Sequence, residues 1–277
     1  MRPFLLNISK LKYLRKLKYE YECEDADTKC NEEKPERVYK PIDSEINIRM
    51  VERFDNYPRT LQMRFGTTRI YPCVNFPIIL SWQKSSNVID VVFEYVMVTD
   101  LCLTALGPAT AIIDFGTLSN GTYQLNFQNG EIRYSGELIV SSDSYTINFP
   151  ANSAFNFRNS PLNKIPEHTI WGLVGYHREE TAPLVQLFFA ALMELGAEEK
   201  SFTPGYYTAF EIDNSGDIIR PNNHGFWFAQ PFIFYFSGDS SDLDEFLRQW
   251  SYKYSEYMHV WIRTDKGEEF LSWMHRQ

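Results

Sequence analysis

The chain has 277 residues, 44% of them hydrophobic and 23% charged, a usage that excludes wholesale disorder. Aromatic residues reach 16%, which favours sheet-rich cores. The net charge is −9 and no apolar run reaches the roughly 18 residues that span a bilayer, so no transmembrane helix is expected.

The charge has a direction along the chain. Residues 1–37 hold 9 Lys and Arg against 8 Asp and Glu; residues 38–159 hold 9 against 11; residues 160–277 hold 9 against 17, a net of −8. A surface of that sign repels phosphate backbones, which argues against nucleic acid as a partner.

At roughly 150 residues per domain the length predicts two domains. An N-terminal arm and tether over 1–37 precedes them. Arg2, Lys10, Lys12, Arg15, Lys16 and Lys18 make residues 1–20 basic, and Phe4-Leu5-Leu6 is shorter than the roughly 7–15 residues of a signal-peptide core. Leu11, Leu14, Leu17 and Tyr21 fall at helical spacing, so residues 1–21 could make a peripheral membrane contact or dock as an arm on the acidic C-terminal part. Residues 22–37 are rich in acids, Asn and Pro and read as a tether. The four cysteines permit two bridges, Cys23–Cys30 in the tether and Cys73–Cys102 further on, or remain as buried thiols.

Residues 38–158 are expected to form an all-β sandwich. Short alternating or apolar runs recur at Leu61–Phe65, Ile78–Trp82, Val88–Val98, Ala111–Phe115, Tyr123–Phe127, Ile132–Val140 and Tyr145–Phe149, with Gly, Asn, Ser or Pro between them. Asn129-Gly130 predicts a type I′ hairpin turn. Leu118, Gly121 and Tyr123 have the spacing of a tyrosine corner, whose hydroxyl bonds back to the chain.

The run Ala111–Val140, with Leu118, Gly121, Tyr123, the Asn129-Gly130 turn and Gly136-Glu137, resembles the end of small immunoglobulin-like modules in surface and secreted proteins of Bacteroidetes-type bacteria. The resemblance covers about a quarter of that domain. It implies an Ig-like fold, an extracytoplasmic bacterial location (periplasm, cell surface or secreted) and a non-catalytic adhesive or spacer role. The short N-terminal apolar run departs from that pattern and keeps a cytoplasmic location as the alternative.

Residues 159–277 read as β-α-β-β-α-β, a ferredoxin-like α+β domain. His168–His177 is an apolar strand. A helix follows with Thr181 as N-cap, a stripe of Leu184, Leu187, Phe188, Ala191, Leu192 and Leu195, and Gly196 as C-cap. Tyr206–Asp213 alternates as the second strand and Phe226–Phe236 is the third, with Pro231 implying a bulge or an edge. Ser241 opens a second helix with Ser241 and Asp244 as a capping box, and Leu243, Phe246, Leu247 and Trp250 as its stripe. Val260–Arg263 is the last strand, followed by a short element reaching Trp273.

In that topology the end of the first strand meets the start of the fourth, which would bring His177 beside His259, with Glu179, Glu180 and Asp239 at the same sheet end. Such a group could bind a divalent metal or do acid–base work, in an enzyme or an effector-binding domain. No cofactor or metal site is expected, because the sequence holds no dinucleotide, Walker, nucleophile-elbow or zinc-ligand motif. Gly225-Phe226-Trp227-Phe228 echoes an RNA-recognition strand, but the −8 charge opposes it.

The first functional reading is a non-enzymatic interaction or structural component of a bacterial envelope or secreted assembly. It would bind a protein partner through exposed aromatics of the acidic C-terminal domain, Tyr206, Tyr207 and Trp227 among them. The alternatives are an enzyme or effector-binding domain near His177 and His259, and an acidic, immunity-type partner that neutralises a basic toxin.

Overall fold

The period-two alternation of buried and exposed residues that marks the first half folds as strands. The computed structural model describes residues 39–40, 42–54, 58–151, 153–219 and 225–275. The expectations placed on 1–37, including Cys23–Cys30, lie outside the described residues. The strands run β1 (Tyr39–Lys40), β2 (Ile46–Arg53), β3 (Thr60–Tyr71), β4 (Ile78–Ser85), β5 (Val88–Met97), β6 (Gly107–Asp114), β7 (Gly121–Asn129), β8 (Ile132–Val140), β9 (Ser144–Asn148), β10 (Phe155–Phe157) and β11 (Leu162–Asn163). All seven expected runs contain strands; β1, β2, β10 and β11 are additions.

One sheet has the order β10-β2-β3-β6. The other begins β1-β5-β7-β8-β9-β11, with β4 paired to β5. Their inner faces bury one cluster that includes Ile46, Ile48, Met63, Phe65, Phe93, Leu125, Phe127 and Phe155. The Tyr123 hydroxyl donates to the Ser119 carbonyl at 2.9 Å, closing the corner anticipated from the spacing. Tyr123→Phe strips that hydroxyl from a nearly buried ring. It is expected to lower unfolding free energy by about 1 kcal/mol in urea titration, with the fold retained.

The β7–β8 turn differs from expectation. Asn129 pairs with Ile132, so its central residues are Gly130 and Glu131. Gly130 has φ +62° and Glu131 a negative φ. That is the type II′ requirement of a left-handed first position, which glycine meets without a Cβ clash. The sulfurs of Cys73 and Cys102 are bonded, tying the β3–β4 connection to the β5–β6 connection.

Beyond β11 come β12 (Thr169–Tyr176), α1 (Ala182–Glu194), β13 (Ala197–Glu198), β14 (Gly205–Tyr207), β15 (Glu211–Ile212), β16 (Ile218–Ile219), β17 (Phe228–Phe236), α2 (Ser240–Tyr254), β18 (Met258–Thr264) and β19 (Glu269–Leu271). A third sheet, β13-β17-β12-β18-β19, is antiparallel throughout. Residues 206–213, expected as its second strand, instead join the sandwich: β11 pairs with β14, and β15 and β16 continue that sheet. Ala197–Glu198 takes the place beside β17. Alternation identified the strand character of 206–213 but carries no information about which sheet it joins. Because β13 reaches only Tyr235 and Phe236, Pro231 stands on an open stretch of β17, where its missing N–H costs no ladder bond.

Both helices pack on one face of this sheet. Val185, Phe188 and Leu192 from α1 and Leu243 and Leu247 from α2 meet Ile170, Val174, Phe232, Phe234, Val260 and Ile262. Leu187, expected in the α1 stripe, is exposed. The 3.6-residue period favours Val185–Phe188–Leu192, and Leu187 falls about 100° off that line. Thr181 precedes α1 but makes no side-chain cap bond, because a 3-10 turn at Glu179–Thr181 leads into the helix. Asp239, not Ser241, occupies the N-cap of α2.

Val38–Gln277 forms one compact unit. Where sandwich and third sheet meet, Phe54, Ile165, Tyr207, Phe210 and Ile212 pack against Trp171, with Ile233 and Trp261 at the margin. A charged group sits beside them. Arg59 lies 3.6 Å from Glu52 and 3.0 Å from Asp265, and it donates to the Ile165 carbonyl. Glu52 accepts the Ile165 N–H at 3.1 Å.

Candidate ligand-binding site

Strand alternation gives the third sheet a second face, away from the helices. On β18, Val260 and Ile262 point to the helices, so His259, Trp261 and Arg263 point away. On β12, Leu173 and Gly175 share that second face. One end of the face is covered by the Trp171–Phe210 cluster. The other end forms a groove of about 550 Å³ lined by Leu173, Phe226, His259, Trp261, Glu269, Leu271 and Trp273.

Each wall has a local cause. Phe226 precedes β17 and folds back over β12, and its ring fills the space a Cβ on residue 175 would need. Glycine at 175 is therefore what lets an aromatic ring lie flat on the strand. Leu271 is brought opposite Trp261 by the β18–β19 pairing. Trp273 is placed by its neighbour Ser272, whose hydroxyl accepts the Val260 N–H at 2.9 Å and whose carbonyl accepts the Ser251 hydroxyl at 2.6 Å. The Trp261 indole N–H donates to Glu269 at 2.5 Å, which fixes both side chains at the groove wall.

The histidines expected to meet do so through an intermediary. The rings of His177 and His259 lie 5.3 and 5.4 Å from the Phe226 ring, and His259 is 6.2 Å from Trp273. His177 is exposed and is not part of the groove lining, and Glu179 and Glu180 are exposed in the 3-10 turn that follows it. Asp239 is elsewhere, a correction to the expectation. β17 runs antiparallel to β12, with Phe228 opposite Tyr176 and Tyr235 opposite Thr169, so the residue after β17 lies at the other end of the sheet. Among the described residues no group of three or more His, Cys, Asp or Glu is placed to hold a metal.

Of the aromatic anchors, Tyr206 and Trp227 are exposed, at 38% and 78%. Tyr207 is not available: it is buried, stacks on Phe210 at 4.8 Å and donates to the Thr203 carbonyl at 3.1 Å. Its alternation partner across the strand, Tyr206, takes the outward position.

Sequence reasoning did not single out Trp261, Glu269, Leu271 or Trp273 as site residues. A signal was present in Met258–Thr264, where small apolar residues alternate with His, Trp and Arg. That alternation marks a strand with one packed face and one face lined by large side chains with polar tips.

Among the described residues no helix is long and apolar enough to cross a membrane. No family model, no curated protein and no solved structure matches this chain.

Proposed function

We propose that this chain is a recognition protein of a bacterial envelope or secreted assembly, with an Ig-like sandwich as spacer and a ferredoxin-like domain as binding module. The groove on that domain holds the partner. The observation that carries this reading is the groove itself: three aromatic and two aliphatic walls converge with one imidazole and one carboxylate. A concave, mainly apolar pocket with few polar groups is the usual form of a ligand site.

Other features support the parts. The Tyr123–Ser119 bond supports the Ig-like reading. The strand order β13-β17-β12-β18, with α1 and α2 in the crossovers, supports the ferredoxin-like one, elaborated by β19 and by β14–β16. The Cys73–Cys102 bond supports an oxidising compartment.

The test is thermal unfolding of wild type and Trp273→Ala against a panel of small organic anions, cations and neutral compounds. At least one class should raise the Tm of the wild type, because a ligand that binds only the folded state stabilises it by mass action. Trp273→Ala should lose most of that shift. A panel without effect removes the groove as a binding site, and turnover of a stabilising compound replaces recognition with catalysis.

A further inference from the structure

We infer that the groove takes an N-alkylated ammonium group, carried either by a free small cation or by a methylated lysine side chain. The inference rests on the groove being a binding site and adds the chemistry of its ligand.

Three observations converge. Three aromatic side chains, Phe226, Trp261 and Trp273, line a space of about 550 Å³. Aromatic faces are electron-rich, and a cation within about 6 Å of a ring centroid is attracted to them. A bulky alkylated ammonium loses little hydration on entering such walls, whereas a bare ammonium loses much. The second observation is Glu269. One of its oxygens accepts the Trp261 indole N–H at 2.5 Å. A carboxylate has about four lone-pair sites, so that bond leaves acceptor capacity on the groove side. Its ladder partner Arg263 forms no ion pair with it among the described residues. The groove therefore offers a carboxylate with open acceptor sites to a cationic ligand. The third observation is composition: residues 160–277 carry a net −8, a sign that favours cations over anions as ligands.

An anionic ligand would meet the Glu269 carboxylate, which repels it. A neutral apolar ligand would bury the carboxylate without pairing it, at a desolvation cost.

The probes are choline, its neutral isostere 3,3-dimethylbutan-1-ol, and a short peptide with one trimethyllysine. Each is titrated into the full chain with tryptophan fluorescence and calorimetry as readouts. Choline is expected to bind at least tenfold more tightly than the alcohol. Trp273→Ala should weaken choline by roughly tenfold, in the range of a partly desolvated cation–π contact. Glu269→Gln keeps an acceptor for Trp261 and should weaken choline by roughly threefold while leaving the alcohol unchanged, with the difference fading at high salt. Matched melting curves for the variants verify folding. Tighter binding of the peptide assigns the cation to a protein side chain, and tighter binding of choline assigns it to a free molecule; both support the inference. Equal affinity for choline and the alcohol, with no effect of Glu269→Gln, overturns the cationic ligand but leaves the groove a binding site. No binding of choline or peptide, while another compound of the earlier panel binds, does the same. Silence of every compound in both experiments overturns the site as well.

Discussion

Phe127→Ala is expected to cost about 4 kcal/mol and to lower Tm by about 10 °C. Phe127 is fully buried at the middle of the sandwich. Its ring centroid lies 5.0 Å from Phe155, 5.3 Å from Phe149, 5.8 Å from Phe93, and 6.1 Å from both Phe65 and Phe157. These rings come from β3, β5, β7 and β10 and from the residue that follows β9, so truncation opens a cavity shared by both sheets. Neighbouring rings cannot collapse into it without breaking edge-to-face contacts with one another, and poor collapse places a site at the upper part of the range for Phe truncation. Phe127→Leu keeps most of the volume and should cost about half as much. Urea unfolding of the three proteins checks the ordering. Equal stability of Phe127→Ala and wild type would mean that the sandwich is not held by this cluster.

The legibility of this core from sequence is uneven for a physical reason. Phe65, Phe93 and Phe127 sit in locally alternating runs bounded by turn residues, so period and punctuation agree. Phe155 and Phe157 sit in a three-residue strand among Asn, Ser and Arg, and that strand pairs in parallel with Ile46–Ile48, more than a hundred residues earlier. A parallel partner leaves no hairpin turn in the sequence to announce it. β2 was hidden by its charges, Arg49, Glu52 and Arg53, which read as surface. In the third sheet both helices and the first, third and fourth strands were legible from their stripes and runs. The meeting of His177 with His259 followed from strand order, which is coarse enough to survive a misplaced second strand. The groove walls were not legible, because Phe226 and Trp273 enter from outside the strands. The bonds that hold them, a glycine contact and a serine hydroxyl, have no sequence period.

Glu52 itself gives the second large effect. Arg59→Ala is expected to lose about 3 kcal/mol at pH 7. Arg59 stands between two carboxylates whose side chains are nearly out of solvent, Glu52 at 1% and Asp265 at 10% exposure, and its own side chain is 18% exposed. Removing Arg59 takes the nearer counter-charge from two buried carboxylates and leaves Glu52 only the weaker pull of Lys164, a loss that costs more than the group contributes when intact. The loss should depend on pH, and the sign follows from Glu52. Burial pushes its carboxyl above the ordinary 4.5, while the Arg59 guanidinium and the Ile165 N–H pull it down. A carboxyl raised on folding binds its proton more tightly in the folded state. Its contribution is therefore fully present below about pH 4.5 and is lost as pH rises through the raised value. Without Arg59 the carboxyl moves further up, and this window widens toward neutrality. The deficit of Arg59→Ala relative to wild type should accordingly shrink at pH 5 and grow by pH 8 in urea unfolding. Adding Glu52→Gln removes the titrating charge while keeping an acceptor for Ile165, so the double variant should recover part of the stability at pH 8 and lose the pH slope. A deficit that stays constant from pH 5 to 8 would assign the loss to Asp265 and to the Phe54 ring, which the guanidinium covers at 5.3 Å, and not to Glu52. Because Glu52 and Arg59 lie at the end of β2 and before β3 while Asp265 follows β18, either outcome identifies the bonds that hold the groove-bearing sheet against the sandwich.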